Sequence, residues 1–188
     1  MANTLYQIKI ELKNSKPKIW RKILIKSDMF LSDFHMAIQI AMGWTNSHLH
    51  SFEHKGKSYA ERVEDDDFWE ELDSVDYKNI KISNLLKKEK HKIKYEYDFG
   101  DGWVHDIVLE KILPLDNDKT YPVCIGGKNS CPPEDCGGIY GYFHILEVLK
   151  NPQNEEYEEI KDWLGEVFDP EKFDLQEVNS VLASYLLR

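Results

Sequence analysis

The sequence predicts an α+β fold: a mainly antiparallel sheet, a helix after the first hairpin, and a helical C-terminal third. Two observations carry this. Apolar residues alternate with polar ones in the early segments, and from Gly138 onward they recur every three to four positions. A chain of 188 residues that is 41% hydrophobic suits one buried core, so residues 1–188 read as a single domain. Its sheet-rich part is 1–115 and its loop and helical part 116–188. The order hairpin, helix, strands also permits a β-grasp-like core.

The first strand is read from Tyr6, Ile8, Ile10 and Leu12, which alternate with Gln7, Lys9, Glu11 and Lys13. "NSKP" at 14–17 is turn chemistry, and "IWRKILIK" from Ile19 is a second strand, apolar on both faces as in a more central position. A helix follows, with Ser32 as its N-cap, a staple from Leu31 to Met36, and Gly43 as its left-handed stop. Phe34, Ala37, Ile38 and Ala41 form its buried stripe. "HLHSFEH" at 48–54 reads as a strand, and the acidic stretch 61–76 as a loop or short surface helix. Three helical segments close the chain, beginning near Gly138, Asn154 and Asp174. Asp174 and Glu177 make an aspartate version of the capping box, and Val178, Val181, Leu182, Tyr185 and Leu186 form the last stripe.

"YEYDFGDGWVHDIVLEKI" at 95–112 gathers acids and a histidine that resemble an active site. Its "DFG" lacks the phosphate loop, strand lysine and H-R-D loop that a kinase requires. The segment reads instead as a hairpin with Gly100, Asp101 and Gly102 as a three-residue loop. That register places Phe99 opposite Trp103, Tyr97 opposite His105 and Tyr95 opposite Ile107 on one buried face. Asp98 then points away from His105, so Asp98, Asp101 and His105 are not expected to form a compact site.

Charge alternates in blocks: residues 1–60 carry +5, 61–76 carry −8, 77–95 carry +6 and 96–188 carry −13. An acidic total disfavours binding along a phosphate backbone, and the last helical segment contains no Lys or Arg. Specific duplex DNA binding is therefore not expected, while the acidic 61–76 segment offers a surface for a protein partner. No apolar run reaches the roughly 20 residues of a membrane span, and the N-terminus lacks a secretory pattern, so a cytoplasmic location is expected. Three cysteines, Cys124, Cys131 and Cys136, suit reduced thiols or a metal better than a disulfide framework.

Three constellations carry chemistry. His48, His50, Phe52 and His54 would share one strand face, and H-x-H can offer two imidazoles to a metal or anion; set against this is the commoner surface pair with no ligand. The cysteines follow C-x6-C-x4-C, which lacks the short zinc knuckle and needs a fourth ligand such as His105 or His144, so zinc is an option that the spacing does not demand. His105 among Tyr97, Trp103 and Ile107 is either a hydrogen-bonded core histidine or part of a pocket. Glu134 and Asp135 either cap the following helix or project into a cleft.

Four stretches, "KPKIWRKILI", "FHMAIQIAMGWTNSHLHSF", "YEYDFGDGWVHDIVLEKI" and "CPPEDCGGIYGY", occur in an order that resembles the Ri-plasmid open-reading-frame-three-like family, also known as insertion-element passenger resolvase-like proteins. The resemblance spans nearly the whole chain and implies a link to mobile genetic elements, with no established catalytic residue. Lys22 stands where many members have a second arginine. Cys136 stands where others carry an aliphatic residue, which argues against a three-cysteine zinc site. Neither a serine-recombinase nucleophile with its arginines nor a helix-turn-helix is identifiable.

The leading expectation is a cytosolic binding or accessory domain with an aromatic and histidine-lined cleft, formed by Trp44, His48, His50, Asp101, Trp103, His105, Glu134 and Asp135. One rival is a metal-dependent hydrolase or nuclease in which His48, His50 and His105 hold the ion and Asp101 or Glu134 activates water. The other is a protein-interaction module.

Overall fold

The computed structural model describes residues 4–62, 74–165 and 168–185. Eight strands form one sheet: β1 (Thr4–Leu12), β2 (Trp20–Lys26), β3 (His50–His54), β4 (Lys57–Ala60), β5 (Ser74–Asp76), β6 (Lys92–Tyr97), β7 (Trp103–Pro114) and β8 (Val123–Lys128). Their order is β5-β4-β3-β6-β7-β1-β2-β8. Five helices accompany them: α1 (Leu31–Met42), α2 (Ile82–Leu85), α3 (Gly138–Leu149), α4 (Tyr157–Leu164) and α5 (Leu175–Tyr185). The fold is α+β. All pairings are antiparallel except β4 with β5 at the edge. Because β1 runs antiparallel to both its neighbours, the central parallel pair of a β-grasp core is not formed.

Alternation drives the sheet. Tyr6, Ile8, Ile10 and Leu12 of β1 are buried, as are Ile23 and Ile25 of β2 and Ile107 and Leu109 of β7. Phe34, Ala37, Ile38 and Ala41 of α1 join the same core. The opposite face of the sheet carries cross-strand pairs such as Lys22 with Glu110 and Lys94 with Glu53, so it stays polar. No helix among the described residues is long and apolar enough to cross a membrane.

Several local expectations change. Gly43 ends α1 in the left-handed region (φ 97°), as its position predicts, but the helix begins one residue before Ser32, at Leu31. The Leu31 amide is satisfied by the carbonyl of Ile80 at 2.8 Å, so a tertiary partner does the work of the cap. Asp174 does cap α5, accepting from the amides of Gln176 (2.9 Å) and Glu177 (3.0 Å). Along α5, Leu182 is buried while Val181 is exposed. The span 116–188 contributes a strand, β8, as well as loops and helices. In the acidic stretch, residues 63–73 lie outside the described residues, and Ser74–Asp76 is the parallel edge strand rather than loop or helix.

The β6–β7 hairpin has a different register from the expected one. Tyr97 faces Trp103, Tyr95 faces His105 and Ile93 faces Ile107, leaving residues 98–102 as the loop. Asp98 takes a left-handed backbone (φ 57°), and its carbonyl accepts from the Gly102 amide at 2.6 Å. This closes the turn two residues earlier on the β6 side. A shift by two preserves which face each side chain occupies, so Tyr95, Tyr97, Trp103, His105 and Ile107 are buried as expected. Phe99 leaves the ladder and is 50% exposed.

Candidate functional site

Three loops meet at one end of the sheet: 44–48 after α1, 98–102 between β6 and β7, and 132–137 before α3. Trp44 Nε1–H donates to the Pro132 carbonyl (3.0 Å). Glu134 accepts from the Thr45 amide (3.2 Å), the Thr45 hydroxyl and the Tyr97 hydroxyl. The Ser47 amide donates to Tyr97 Oη (3.0 Å). Burial first, and then the bond to Glu134, push the Tyr97 pKa well up, which keeps the phenol a donor. A Cβ on Gly138 would lie 2.4 Å from the Asp101 carbonyl oxygen, so the start of α3 presses directly on the second loop. Asn46, Asp98 and Asp135 all have left-handed backbones within this junction, a concentration typical of functional sites.

His48 lies on the first loop, not on the strand. Its Nε2 is 3.3 Å from Asp135 Oδ1 and 3.8 Å from Asp98 Oδ2. His50, two residues on, turns into the core: it stacks on His35 with ring centroids 3.4 Å apart and shares a 2.5 Å hydrogen bond with Tyr77 Oη. His105 is fully buried, edge-on to Trp44 at 5.3 Å. The strand face expected to carry His48, His50, Phe52 and His54 therefore begins at His50, and His48 lies outside it. The convergence of His48, His50 and His105 on one metal also gives way: the one three-residue set among the described residues whose ligand atoms lie mutually within 4.8 Å is His48, Asp98 and Asp135.

The core histidines are held neutral. Gln39 Nε2–H donates to Tyr95 Oη (2.9 Å), so the Tyr95 hydroxyl donates to His35 Nδ1 (2.8 Å). His35 Nε2–H in turn donates to Asn46 Oδ1 (2.8 Å), and the Asn46 amide closes the ring on Gln39 Oε1 (3.1 Å). Burial lowers the pKa of His35 to about 4, that of His50 to about 3 with His35 adding to the effect, and that of His105 to about 4.

Of the remaining candidates, Trp103 is buried opposite Tyr97. The Asp101 amide donates to Asp98 Oδ1 at 3.3 Å, and its own Oδ2 has no hydrogen-bond partner among the described residues. Cys124, Cys131 and Cys136 are free thiols. Burial raises the pKa of Cys136 to about 12 and that of Cys131 further, and none of the three belongs to the ligand set.

A cleft of about 610 Å³ lies between the end of α1, residues 130–134, and the α4–α5 region. Of the residues grouped in one cleft from the sequence, Trp44 and Glu134 line this one, and His48, His50, Asp101, Trp103, His105 and Asp135 do not. At its base is Arg21, 2% exposed. The guanidinium donates through Nε to the Ala41 carbonyl (2.7 Å) and through Nη1 to the carbonyls of Trp20 (2.8 Å) and Lys128 (3.0 Å), with the Phe173 ring 4.4 Å away. It has no carboxylate partner among the described residues, and Nη2 has no acceptor there. Sequence reasoning passed over Arg21 as a site residue, although its position two before Ile23 and four before Ile25 places it on the buried face of β2. Asp98 was set aside because the expected hairpin register turned it away.

Similar proteins carry names that assign no role. A protein from Sinorhizobium fredii (strain NBRC 101917 / NGR234), named uncharacterized protein y4hQ, is 31% identical over 166 residues, covering 88% of this chain and 83% of its own. The crystal structure of MM3350 from Methanosarcina mazei Go1, a protein of unknown function, superposes with a TM-score of 0.83 at 37% identity, covering 94% of this chain and 98% of its own. The family profile described as plasmid pRiA4b ORF-3-like protein matches residues 4–177, and with the order of its motifs now accounted for in three dimensions, the chain belongs to that family.

Proposed function

We propose that this chain is a cytosolic binding domain, folded as one unit, that takes a small organic anion in the cleft above Arg21. The observation that carries this reading is the unpaired guanidinium. Burying a charge without a counter-ion is unfavourable, and three carbonyls and one ring solvate Arg21 without neutralising it. An anion entering the cleft supplies the missing charge, and the free Nη2 supplies donors for it. Lys172 adds a second cation, and Trp44, Trp163, Phe168 and Phe173 offer aromatic walls. Two of the carboxylates around the cleft are already engaged: Glu134 by Thr45 and Tyr97, and Asp174 as the α5 cap. A volume of about 610 Å³ suits a compact ligand. Association with mobile genetic elements rests on the family's plasmid name.

Calorimetric titration with benzoate, phenyl phosphate and the neutral benzamide tests the reading. The anions bind and benzamide does not, and Lys172→Gln weakens the anions several-fold. Absence of binding by both anions at millimolar concentration, or equal binding of benzamide, overturns it.

A further inference from the structure

We propose that His48, Asp98 and Asp135 form a binding site for one first-row transition-metal dication, separate from the Arg21 cleft. None of the three lines that cleft, so the two proposals stand or fall independently. One imidazole and two carboxylates come from three different loops, and their ligand atoms lie mutually within 4.8 Å.

The spacing fits a shared ion better than direct pairing. His48 Nε2 is buried and makes no hydrogen bond, although Asp135 Oδ1 is 3.3 Å away and Asp98 Oδ2 3.8 Å away. A charged imidazole–carboxylate hydrogen bond would close to about 2.8 Å. Two ligands each about 2.1 Å from one ion stand roughly 3.4 Å apart at the tetrahedral angle, and farther apart as the angle opens. The two separations from His48, 3.3 Å and 3.8 Å, lie close to the tetrahedral value and somewhat beyond it.

Asp98 supplies a second, independent indication. It is 7% exposed, and its Oδ1 accepts from the Gly100 amide (2.9 Å) and the Asp101 amide (3.3 Å), a local turn that leaves Oδ2 as the free oxygen. Its Oδ2 accepts no hydrogen bond among the described residues and faces His48. No Lys or Arg pairs with Asp98 or Asp135 among those residues, so two carboxylates face each other's charge with only an imidazole between them. A dication resolves this imbalance.

The donor set also selects the metal. Ca²⁺ takes six to eight oxygen ligands and Mg²⁺ seldom uses imidazole, whereas nitrogen with carboxylate oxygen suits Zn²⁺, Co²⁺, Mn²⁺ or Fe²⁺. Three protein ligands leave coordination positions for water, the arrangement of a reactive rather than a closed structural site.

The test uses full-length, untagged protein stripped with a chelator and titrated with Co²⁺ and Zn²⁺, following visible absorption and heat. One ion binds per chain, and Asp135→Asn and His48→Gln each weaken it at least tenfold while His54→Gln leaves it unchanged. Circular dichroism and thermal unfolding of each metal-free variant confirm the fold, and Asp135, 74% exposed at its side chain, is the safer substitution. Failure of the wild type to bind one ion per chain overturns the proposal, as does equal affinity in Asp135→Asn and His48→Gln.

Discussion

His48 and His50 stand two residues apart in one motif and belong to two different parts of the molecule. His50 starts β3, stacks on His35 and contributes to a buried layer of rings between α1 and the sheet. His48 lies before the strand, among carboxylates at the junction of three loops. In the buried layer Gln39, Tyr95, His35 and Asn46 close a ring of hydrogen bonds, while both nitrogens of His105 and Trp103 Nε1 make none; at the junction His48 Nε2 and Asp101 Oδ2 make none either. A satisfied network rigidifies a core, and an unpartnered polar atom that an ion can reach from solvent is open to a ligand. Histidine content alone therefore does not mark a site, and neither does a missing hydrogen bond: fully buried His105 lacks partners as His48 Nε2 does, but it is His48 that stands beside two carboxylates.

Acid is the strongest way to break the comparison. His35, His50 and His105 have folded-state pKa values of about 4, 3 and 4, against an ordinary 6.5. Below pH 6.5 the unfolded chain takes up protons that the folded rings refuse. Their contribution to stability is thus fully present above the unfolded pKa and is lost as pH falls from 6.5 toward 4. Each such group tilts stability by about 1.4 kcal/mol per pH unit in that window. Urea unfolding at pH 7 and pH 5 should reveal a loss of several kcal/mol, and His35→Gln should flatten the slope by about one proton. A slope untouched by that substitution would place the titration elsewhere.

Truncation sharpens the contrast. His35→Ala removes a ring bonded at both nitrogens, opens a cavity beside His50 and strands Tyr95, at a cost of about 3 to 4 kcal/mol in urea unfolding. Gly138→Ala acts on the junction through the backbone, combining a left-handed φ of 68° with a Cβ only 2.4 Å from the Asp101 carbonyl oxygen. It should destabilise by about 2 to 3 kcal/mol. Gly137→Ala, whose Cβ would meet nothing closer than 3.8 Å, should cost only about 1 kcal/mol, from its φ of 84°.

Much of this was legible in the sequence because side-chain alternation reports faces directly. β1 and the buried face of the β6–β7 hairpin follow from it, and the stripe of α1 follows in the same way from apolar residues three and four apart. Alternation does not report where a ladder stops, and Asp98, which reads as a strand residue, takes a left-handed turn instead. That local choice moved the register by two, exposed Phe99 and brought Asp98 to His48. The cap of α1 was misplaced because the Ile80 carbonyl, about fifty residues away, satisfies Leu31. Of the eight residues grouped in one cleft from the sequence, two, Trp44 and Glu134, border the cleft above Arg21. Arg21 was not singled out, because an arginine on the buried face of a strand gives no sign of its partners until the packing around it is known.

The smallest effect is the most discriminating. His48→Gln in metal-free protein should change unfolding free energy by no more than about 0.5 kcal/mol. The ring is 27% exposed at its side chain, sits on a loop, and pairs at 3.3 Å with an Asp135 that is itself largely in solvent. Pairs of that kind contribute at most about 1 kcal/mol, and here the same pairing holds a histidine beside two acids whose repulsion its removal does little to change. His50→Ala, by contrast, breaks the bond to Tyr77 and the stack on His35, and should cost about 3 kcal/mol. Chemical denaturation of both variants under one buffer decides the matter. A His48→Gln loss near 2 kcal/mol or more would make His48 a fastening of the fold, and its place among the junction carboxylates would then no longer distinguish it from the core.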